Sequence, residues 1–373
     1  MKVAVISNAA SSLINFRGPL IRAMVERGHE VFAFAPDYNA DTLEAIKSMR
    51  AKPVDYNLYR TGLNPVKDLE SFLNLFLHLR RIRPDVSLAY TIKPVIYGTF
   101  AAWLAKVPKR YALITGLGYI FIISDKKDTL RFRFLRGVGQ RLYQLALSKA
   151  SLVFFQNKDD FNEFVEGRIV SKNKVFLLGP TGVDLKYFCP TPPFEEPITF
   201  LMAGRLLREK GVIEFVEAAR RVKTKYPDTR FVLLGGLDDN PGSIKEEEVK
   251  AWVTEGIIEW PGHVSDVRPW ISQASVFVLP SYREGVPRSV QEAMAMGRPV
   301  ITTDVPGCRE TVITGVNGYL VQPRNVDALV SSMGKFINEP KLIERMGRES
   351  RRLAEERFDV HKINKILLDV MEL

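Results

Sequence analysis

Cysteine, histidine and long apolar runs are all scarce in this chain of 373 residues. The two cysteines, Cys189 and Cys308, stand 119 positions apart and form no Cys-x-x-Cys pair. The four histidines (His29, His78, His263 and His361) lack metal-ligand spacing. A disulfide framework and a structural zinc site are thereby excluded, and a reducing, cytoplasmic setting is expected. Stretches without a charged residue reach 14 residues at most, Val3–Phe16 and Tyr111–Ser124 among them, and these are broken by polar residues or glycine. A membrane-spanning helix needs about 20 apolar residues, so none is expected. Nor does the opening MKVAVISNAA carry an apolar core and cleavage site of signal-peptide form. No Gly-x-Gly-x-x-Gly follows a strand-like run, which weighs against a dinucleotide-dependent dehydrogenase.

What is present is globular: 46% hydrophobic and 26% charged residues. At roughly 150 residues per domain, the length predicts two domains. The net charge of +10 is unevenly placed. Residues 1–190 hold 28 basic against 16 acidic side chains, whereas 191–373 hold 25 against 27. Such asymmetry points to an anionic partner for the first half, whether membrane surface, nucleic acid or polyphosphate.

The pattern along the chain is βαβ. Val3–Ile6 is a buried strand, and a helix follows with Phe16, Leu20, Ile21, Met24 and Val25 on one face. Strands are predicted again at 30–36, 86–90, 110–114 and 152–156, and helices near 66–81, 95–106 and 129–149. Between Gly179 and Pro197 five prolines fall within 19 residues, a density that no helix or central strand tolerates. The pattern then restarts, with strands at 198–203, 230–234, 257–260, 276–280, 299–303 and 318–321 and a helix at 212–225. The reading is α/β: an N-terminal Rossmann-like domain over 1–180, a Pro-rich linker over 181–197, and a second Rossmann-like domain over 198–345. A C-terminal helix over 346–373 could cross back to the first.

In open parallel sheets, ligands sit at the carboxyl ends of the strands. One such end is Leu279–Thr303, LPSYREGVPRSVQEAMAMGRPVITT. Here Glu284 and Gly285 lie in the loop, Pro287 at the first helical turn, and Glu292 on the helix. Free amides at Gly285, Val286 and the first turn suit an anion, and a carboxylate on each side suits sugar and ribose hydroxyls. Ordinary capping with solvated glutamates would leave the same spacing. A second strand end, Gly204–Gly211, places Arg205 and Lys210 beside a helix start, where a diphosphate fits. Asp238-Asp239-Asn240 could hold a metal, but before Pro241-Gly242 it reads more readily as a turn.

Together these residues resemble the retaining glycosyltransferases of family 4, over essentially the whole chain. The matching pieces are Gly204-Arg205-(x4)-Lys210-Gly211, Leu234-Gly235-Gly236, Val278–Ser281 with Glu284-Gly285, Glu292–Ala295 with Gly297 and Pro299-Val300, and Asn317-Gly318. The resemblance implies the GT-B fold, two Rossmann-like domains facing a central cleft. It implies that Arg205 and Lys210 bind a donor diphosphate, Glu284 the transferred sugar and Glu292 the ribose. Gly285, Val286, Pro287, Ser289, Gly204, Gly235 and Val264 complete the implied donor site. It also implies retention of configuration, with Arg205, Lys210 and helix amides stabilising the leaving diphosphate, so no metal cofactor is expected.

Phe16–Leu20, Thr91–Pro94 with Tyr97-Gly98, and Thr115–Tyr119 resemble a narrower branch, bacterial enzymes that extend undecaprenyl-diphosphate-linked sugars. That branch implies transfer of an N-acetylhexosamine or hexose from a UDP-sugar, with Asn15, Arg17, Lys93 and Tyr97 toward the polyprenyl-diphosphate-linked acceptor. Two departures stand out: Ala9-Ala10 replaces the frequent Gly-Gly after the first strand, and the frequent histidine after the fourth is replaced within Thr91–Lys93. The basic, aromatic stretch 119–150 suits an anionic membrane surface through Arg131, Phe132, Arg133, Phe134 and Arg136, at the inner face of the cell membrane. Packing on the N-terminal sheet would use the same amphipathicity. A 2-epimerase of the same fold and a basic nucleic-acid-binding protein stand as alternatives, although no nucleic-acid-recognition motif occurs.

Overall fold

A computed structural model describes the chain except residues 60–64, 117–129, 194–195, 239 and 241, and the side chains of residues 65 and 130–136. The chain divides into two compact units, Met1–Pro180 with His361–Leu373, and Thr181–Val360.

The first unit is a seven-stranded parallel sheet. Its strands are β1 (Lys2–Ile6), β2 (Glu30–Ala35), β3 (Lys52–Asp55), β4 (Val86–Tyr90), β5 (Lys109–Ile114), β6 (Leu152–Phe155) and β7 (Val175–Leu177), in the order β3-β2-β1-β4-β5-β6-β7. The order reverses between β1 and β4, so the loops after these strands diverge and leave a crevice. Helices α1 (Ala10–Glu26), α2 (Ala40–Ser48), α3 (Pro65–Ile82), α4 (Thr99–Leu104), α5 (Leu130–Ser148) and α6 (Lys158–Glu166) make the crossovers. A π-helical turn, Pro94–Gly98, leads into α4.

Two strands have no sequence forecast. β3 contains Pro53 and β7 is three residues long, and both lie at sheet edges, where a missing N–H and short pairing are tolerated. On α1 the buried face is one step round from the expected one. Leu13, Arg17, Leu20, Ile21 and Met24 point inward, whereas Phe16 is 39% exposed. Hydrophobicity alone put Phe16 inside, but the 100° step aligns Arg17 with Leu13 and Leu20 instead.

The second unit holds β8 (Thr199–Ala203), β9 (Arg230–Leu234), β10 (Glu259–Gly262), β11 (Val276–Leu279), β12 (Val300–Thr303) and β13 (Gly318–Val321) in the order β10-β9-β8-β11-β12-β13, all parallel. Its helices are α7 (Val212–Lys225), α8 (Glu246–Thr254), α9 (Arg268–Ser272), α10 (Arg288–Ala295), α11 (Val326–Asn338) and α12 (Lys341–Arg357).

The Pro-rich segment does not act as a free linker. Val183 and Phe188 are buried in the second core. Arg351 Nη1 donates to the carbonyls of Phe188 and Ala295 at 3.0 and 2.8 Å, and Arg298 holds Thr191 and Pro192. Proline excludes regular structure here, but arginines satisfy the carbonyls that regular structure would have used. The single C-terminal helix expected over 346–373 is two helices. α12 packs against α10, the chain breaks at Phe358, and α13 (Val360–Met371) belongs to the first unit. At the break, Val183 N–H donates to Phe358 O at 2.8 Å and Val360 N–H to Val183 O at 3.1 Å. This exchange moves the boundary from 345 to 360. Ile363, Leu367, Leu368 and Met371 of α13 join the core of the first sheet. Among the described residues, no helix is long and apolar enough to cross a membrane.

Candidate active site

In the second unit the sheet order reverses between β8 and β11, and Arg205, Lys210 and Glu284 lie in the loops leaving these strands. After β8, Gly204 and Arg205 lead to a short 3₁₀ turn, Arg208–Lys210, and to Gly211 at φ +77°. A Cβ at Gly211 would come within 2.2 Å of the Pro280 carbonyl oxygen. Glycine therefore lets the two strand-end loops touch, and α7 starts at the contact. Tyr282 N–H donates to Glu209 O at 2.9 Å, closing the same seam.

The loops bring Lys210 Nζ to 2.5 Å from Glu284 Oε1, with both side chains largely buried. Ser281 Oγ donates to the same oxygen at 2.7 Å. Glu284 Oε2 takes no hydrogen bond among the described residues, so one carboxylate oxygen is fixed and the other open. The loop is held from below. Glu284 N–H donates to Pro306 O at 3.1 Å, and Gly307 sits at φ +78° where a Cβ would lie 2.3 Å from the carbonyl oxygens of Glu284 and Gly285. Burial pushes the thiol of neighbouring Cys308 up to about 12, with Glu284 adding to the shift, so no thiolate forms there at neutral pH.

Arg205 is exposed, and its Nη1 pairs with Asp238 Oδ2 at 3.1 Å. Asp238 Oδ1 accepts from Asn240 N–H at 2.9 Å, so the carboxylate caps a turn after β9, as the sequence suggested. Glu209 lies within the field of Arg205, Lys210, Glu284 and Asp238. Burial raises its carboxyl above the ordinary range, while Lys210 and Arg205 oppose the shift. Among the described residues, no group of three His, Cys, Asp or Glu could hold a metal.

Pro287 is the N-cap of α10, outside the first turn, and Ser289 is the second helical residue. Val286 is buried, and its carbonyl accepts from Gln291 Nε2 at 3.1 Å. Glu292 does not meet Lys210. It pairs with Arg288 Nε at 2.9 Å, and burial raises its carboxyl above the usual range against the pull of Arg288. Gly235 follows β9, where its carbonyl accepts from Trp260 Nε1 at 2.9 Å, and Val264 packs against the core just beyond β10. Ser281 entered the sequence reading only as the end of the Val278–Ser281 piece, with no role, and Arg288 not at all. Arg288 was visible as an i,i+4 partner of Glu292, but Ser281 is drawn in only by the turn of its loop.

In the first unit, Arg17 is 3% exposed, and its guanidinium carbon lies 4.9 Å from the Tyr90 ring centre, at the end of β4. Lys93 Nζ donates to Asp68 Oδ1 and to Tyr59 O, each at 2.7 Å. Tyr97 also bonds Asp68, and burial with that carboxylate raises its hydroxyl. Lys93 and Tyr97 thus meet through Asp68 on α3, which no local pattern marked. Asn15 lies on the exposed side of α1. Arg131, Phe132, Arg133, Phe134 and Arg136 lie outside the described side chains.

Two family models match the halves separately: glycosyl transferases group 1 over residues 197–339, and glycosyl transferase 4-like over residues 2–157. The whole chain is similar to the N,N'-diacetylbacillosaminyl-diphospho-undecaprenol alpha-1,3-N-acetylgalactosaminyltransferase of Campylobacter jejuni. The two are 31% identical over 356 residues, 92% of this chain and 91% of the relative. The chain belongs to the group 1 glycosyltransferases. A second relative of this enzyme, the UDP-Gal:alpha-D-GlcNAc-diphosphoundecaprenol alpha-1,3-galactosyltransferase of Escherichia coli, is 23% identical and covers 83% of the chain and 82% of its own length. Among solved structures, sucrose-phosphate synthase from Thermosynechococcus elongatus superposes with a TM-score of 0.80 at 17% identity, covering 100% and 98% of the two chains. The fold is GT-B, and the enzyme is a glycosyltransferase. The epimerase and nucleic-acid alternatives find no support among these relatives.

Proposed function

We propose that this glycosyltransferase moves a hexose or N-acetylhexosamine, with retention, from a UDP-sugar to an undecaprenyl-diphosphate-linked saccharide at the inner membrane face, which it binds peripherally. One observation supports the donor half most directly. Two cations and a half-open carboxylate meet at the switch point of the second sheet, beside two helix starts. As the C1–O bond of the donor breaks, negative charge gathers on the leaving diphosphate. Arg205, Lys210 and the first amides of α10 stabilise that charge in a partly dry site. Glu284, steadied through Oε1 by Lys210 and Ser281, offers Oε2 to hydroxyls of the transferred sugar. Glu292, one turn along α10, takes the ribose. The leaving phosphate helps deprotonate the acceptor on the same face. The acceptor half rests on the relatives' substrates, on Arg17 beside Tyr90 at the end of β4, and on Lys93 and Tyr97, which meet through Asp68 just after that strand.

Calorimetry with UDP, read beside turnover, tests these roles. Glu284→Gln is expected to abolish transfer while keeping UDP binding, and Glu292→Gln to weaken UDP binding. Ser281→Ala, which removes a hydrogen bond to a charged group worth about 1.5 kcal/mol, should lower turnover about tenfold. Loss of UDP binding with Glu284→Gln but not with Glu292→Gln would reverse the two assignments. Because side chains already face the diphosphate, activity should persist in excess EDTA. A strict requirement for Mg²⁺ or Mn²⁺ would contradict this and point back to Asp238.

A further inference from the structure

α3 carries apolar side chains on both faces. Its inner face buries Leu75 and Leu79. Its outer face holds Val66, Leu69, Leu73 and Leu77, exposed by 77%, 56%, 48% and 62%. Spacings of three, four and four residues align them in one stripe, about 16 Å long at the helical rise. α4, which packs beside α3, adds exposed Trp103 and Leu104, with Lys149 Nζ 4.5 Å from the Trp103 ring centre. Between residues 66 and 83 the exposed charges are Lys67, Arg80, Arg81 and Arg83 against Glu70 alone, and Glu70 is engaged by Asn57.

We propose that the outer face of α3 is a docking surface for an anionic lipid leaflet, an inference that rests on the lipid-linked acceptor proposed above. An aliphatic stripe with basic residues around it is what an interfacial helix needs, each cation adding attraction to anionic headgroups. Four aliphatic side chains fall short of the roughly 800 Å² per partner buried in a stable protein interface, which counts against a second copy of the chain. The helix also ties this surface to the acceptor residues. On its inner face Asp68 holds Lys93 and Tyr97, so α3 carries the lipid-facing stripe on one side and the anchor of that cluster on the other.

The test is flotation of the full chain with vesicles of phosphatidylethanolamine and phosphatidylglycerol, and with phosphatidylcholine vesicles as the uncharged comparison. Wild type should float with the anionic vesicles, less so as salt rises. The variant Leu69→Gln/Leu73→Gln/Leu77→Gln, with melting unchanged because these positions are exposed, should bind at least about tenfold more weakly. Arg80→Glu/Arg81→Glu should lose a similar factor and much of the salt dependence. Both variants should turn over a polyprenyl-diphosphate-linked saccharide in detergent as wild type does, and fall behind when it is embedded in vesicles. Equal flotation of wild type and the Leu variant overturns the proposal. So does a wild-type dimer in sedimentation velocity that the Leu variant splits, which would give the stripe to a second copy. If wild type fails on the acceptor in detergent, the lipid-linked acceptor falls, while flotation still judges the stripe.

Discussion

Lys210→Ala and Arg205→Ala are each expected to lower turnover about 10²-fold or more, a loss of roughly 2.7 kcal/mol of transition-state stabilisation. The larger loss should come from Lys210. Arg205 is more than half exposed, so solvent screens its charge, whereas Lys210 is 19% exposed and acts in a drier place. Lys210 also donates to Glu284 Oε1, so its removal frees the carboxylate proposed to face the sugar and leaves its charge without a cation. The two defects compound, and the double variant should be less than additive if, as proposed, both cations serve one diphosphate. Steady-state kinetics at saturating donor measure this. Near-wild-type kcat in both single variants would remove the diphosphate from this loop.

Arg298→Met is expected to destabilise the second unit by about 3–5 kcal/mol without touching the site chemistry. Arg298 is 0% exposed. Its Nε donates to Ile271 O at 2.8 Å, Nη1 to Thr191 O at 2.8 Å and Met296 O at 3.0 Å, and Nη2 to Thr191 Oγ1 at 2.6 Å with Pro192 O and Ser272 O at 3.1 Å. No carboxylate faces it among these partners, and burial pushes the guanidinium down to about 10, still charged at neutral pH. Its function is to satisfy the carbonyls of Thr191 and Pro192 in the Pro-rich segment and of Ser272 at the end of α9, while it adds a second bond to the Ile271 and Met296 carbonyls, which also accept from the amides of Ala274 and Thr191. Methionine fills the volume but removes the donor from the part-buried Thr191, Pro192 and Ser272 carbonyls, at about 1–3 kcal/mol each. Lysine should not rescue, because a single ammonium cannot span the fork. At roughly 2–4 °C per kcal/mol for a unit of this size, the melting transition should fall by about 10 °C. A shift under about 2 °C would show that water or backbone rearrangement satisfies the carbonyls.

The sequence by itself determined the architecture. Strand–loop–helix order with apolar runs at 3–6, 86–90, 199–203 and 276–279 leaves a parallel, doubly wound sheet as the economical solution in each half, and a cluster of prolines marks where one half ends. The residues of the proposed donor site were marked in the sequence for the same reason. Arg205, Lys210, Glu284 and Glu292 sit at fixed distances from strand ends, and strand ends are where such sheets open. Tertiary structure alone decided what these side chains meet. Lys210 and Glu284 are 74 residues apart and touch because Gly211 lets two loops close on each other. Asp68 and Lys93 are 25 residues apart and meet across α3 and the turn after β4. Arg298 carries no mark in the sequence, and the fold buries its side chain among the carbonyls of three segments. In each case the deciding contact joins elements that are neighbours only after the sheet has formed, so no periodicity along the chain encodes it.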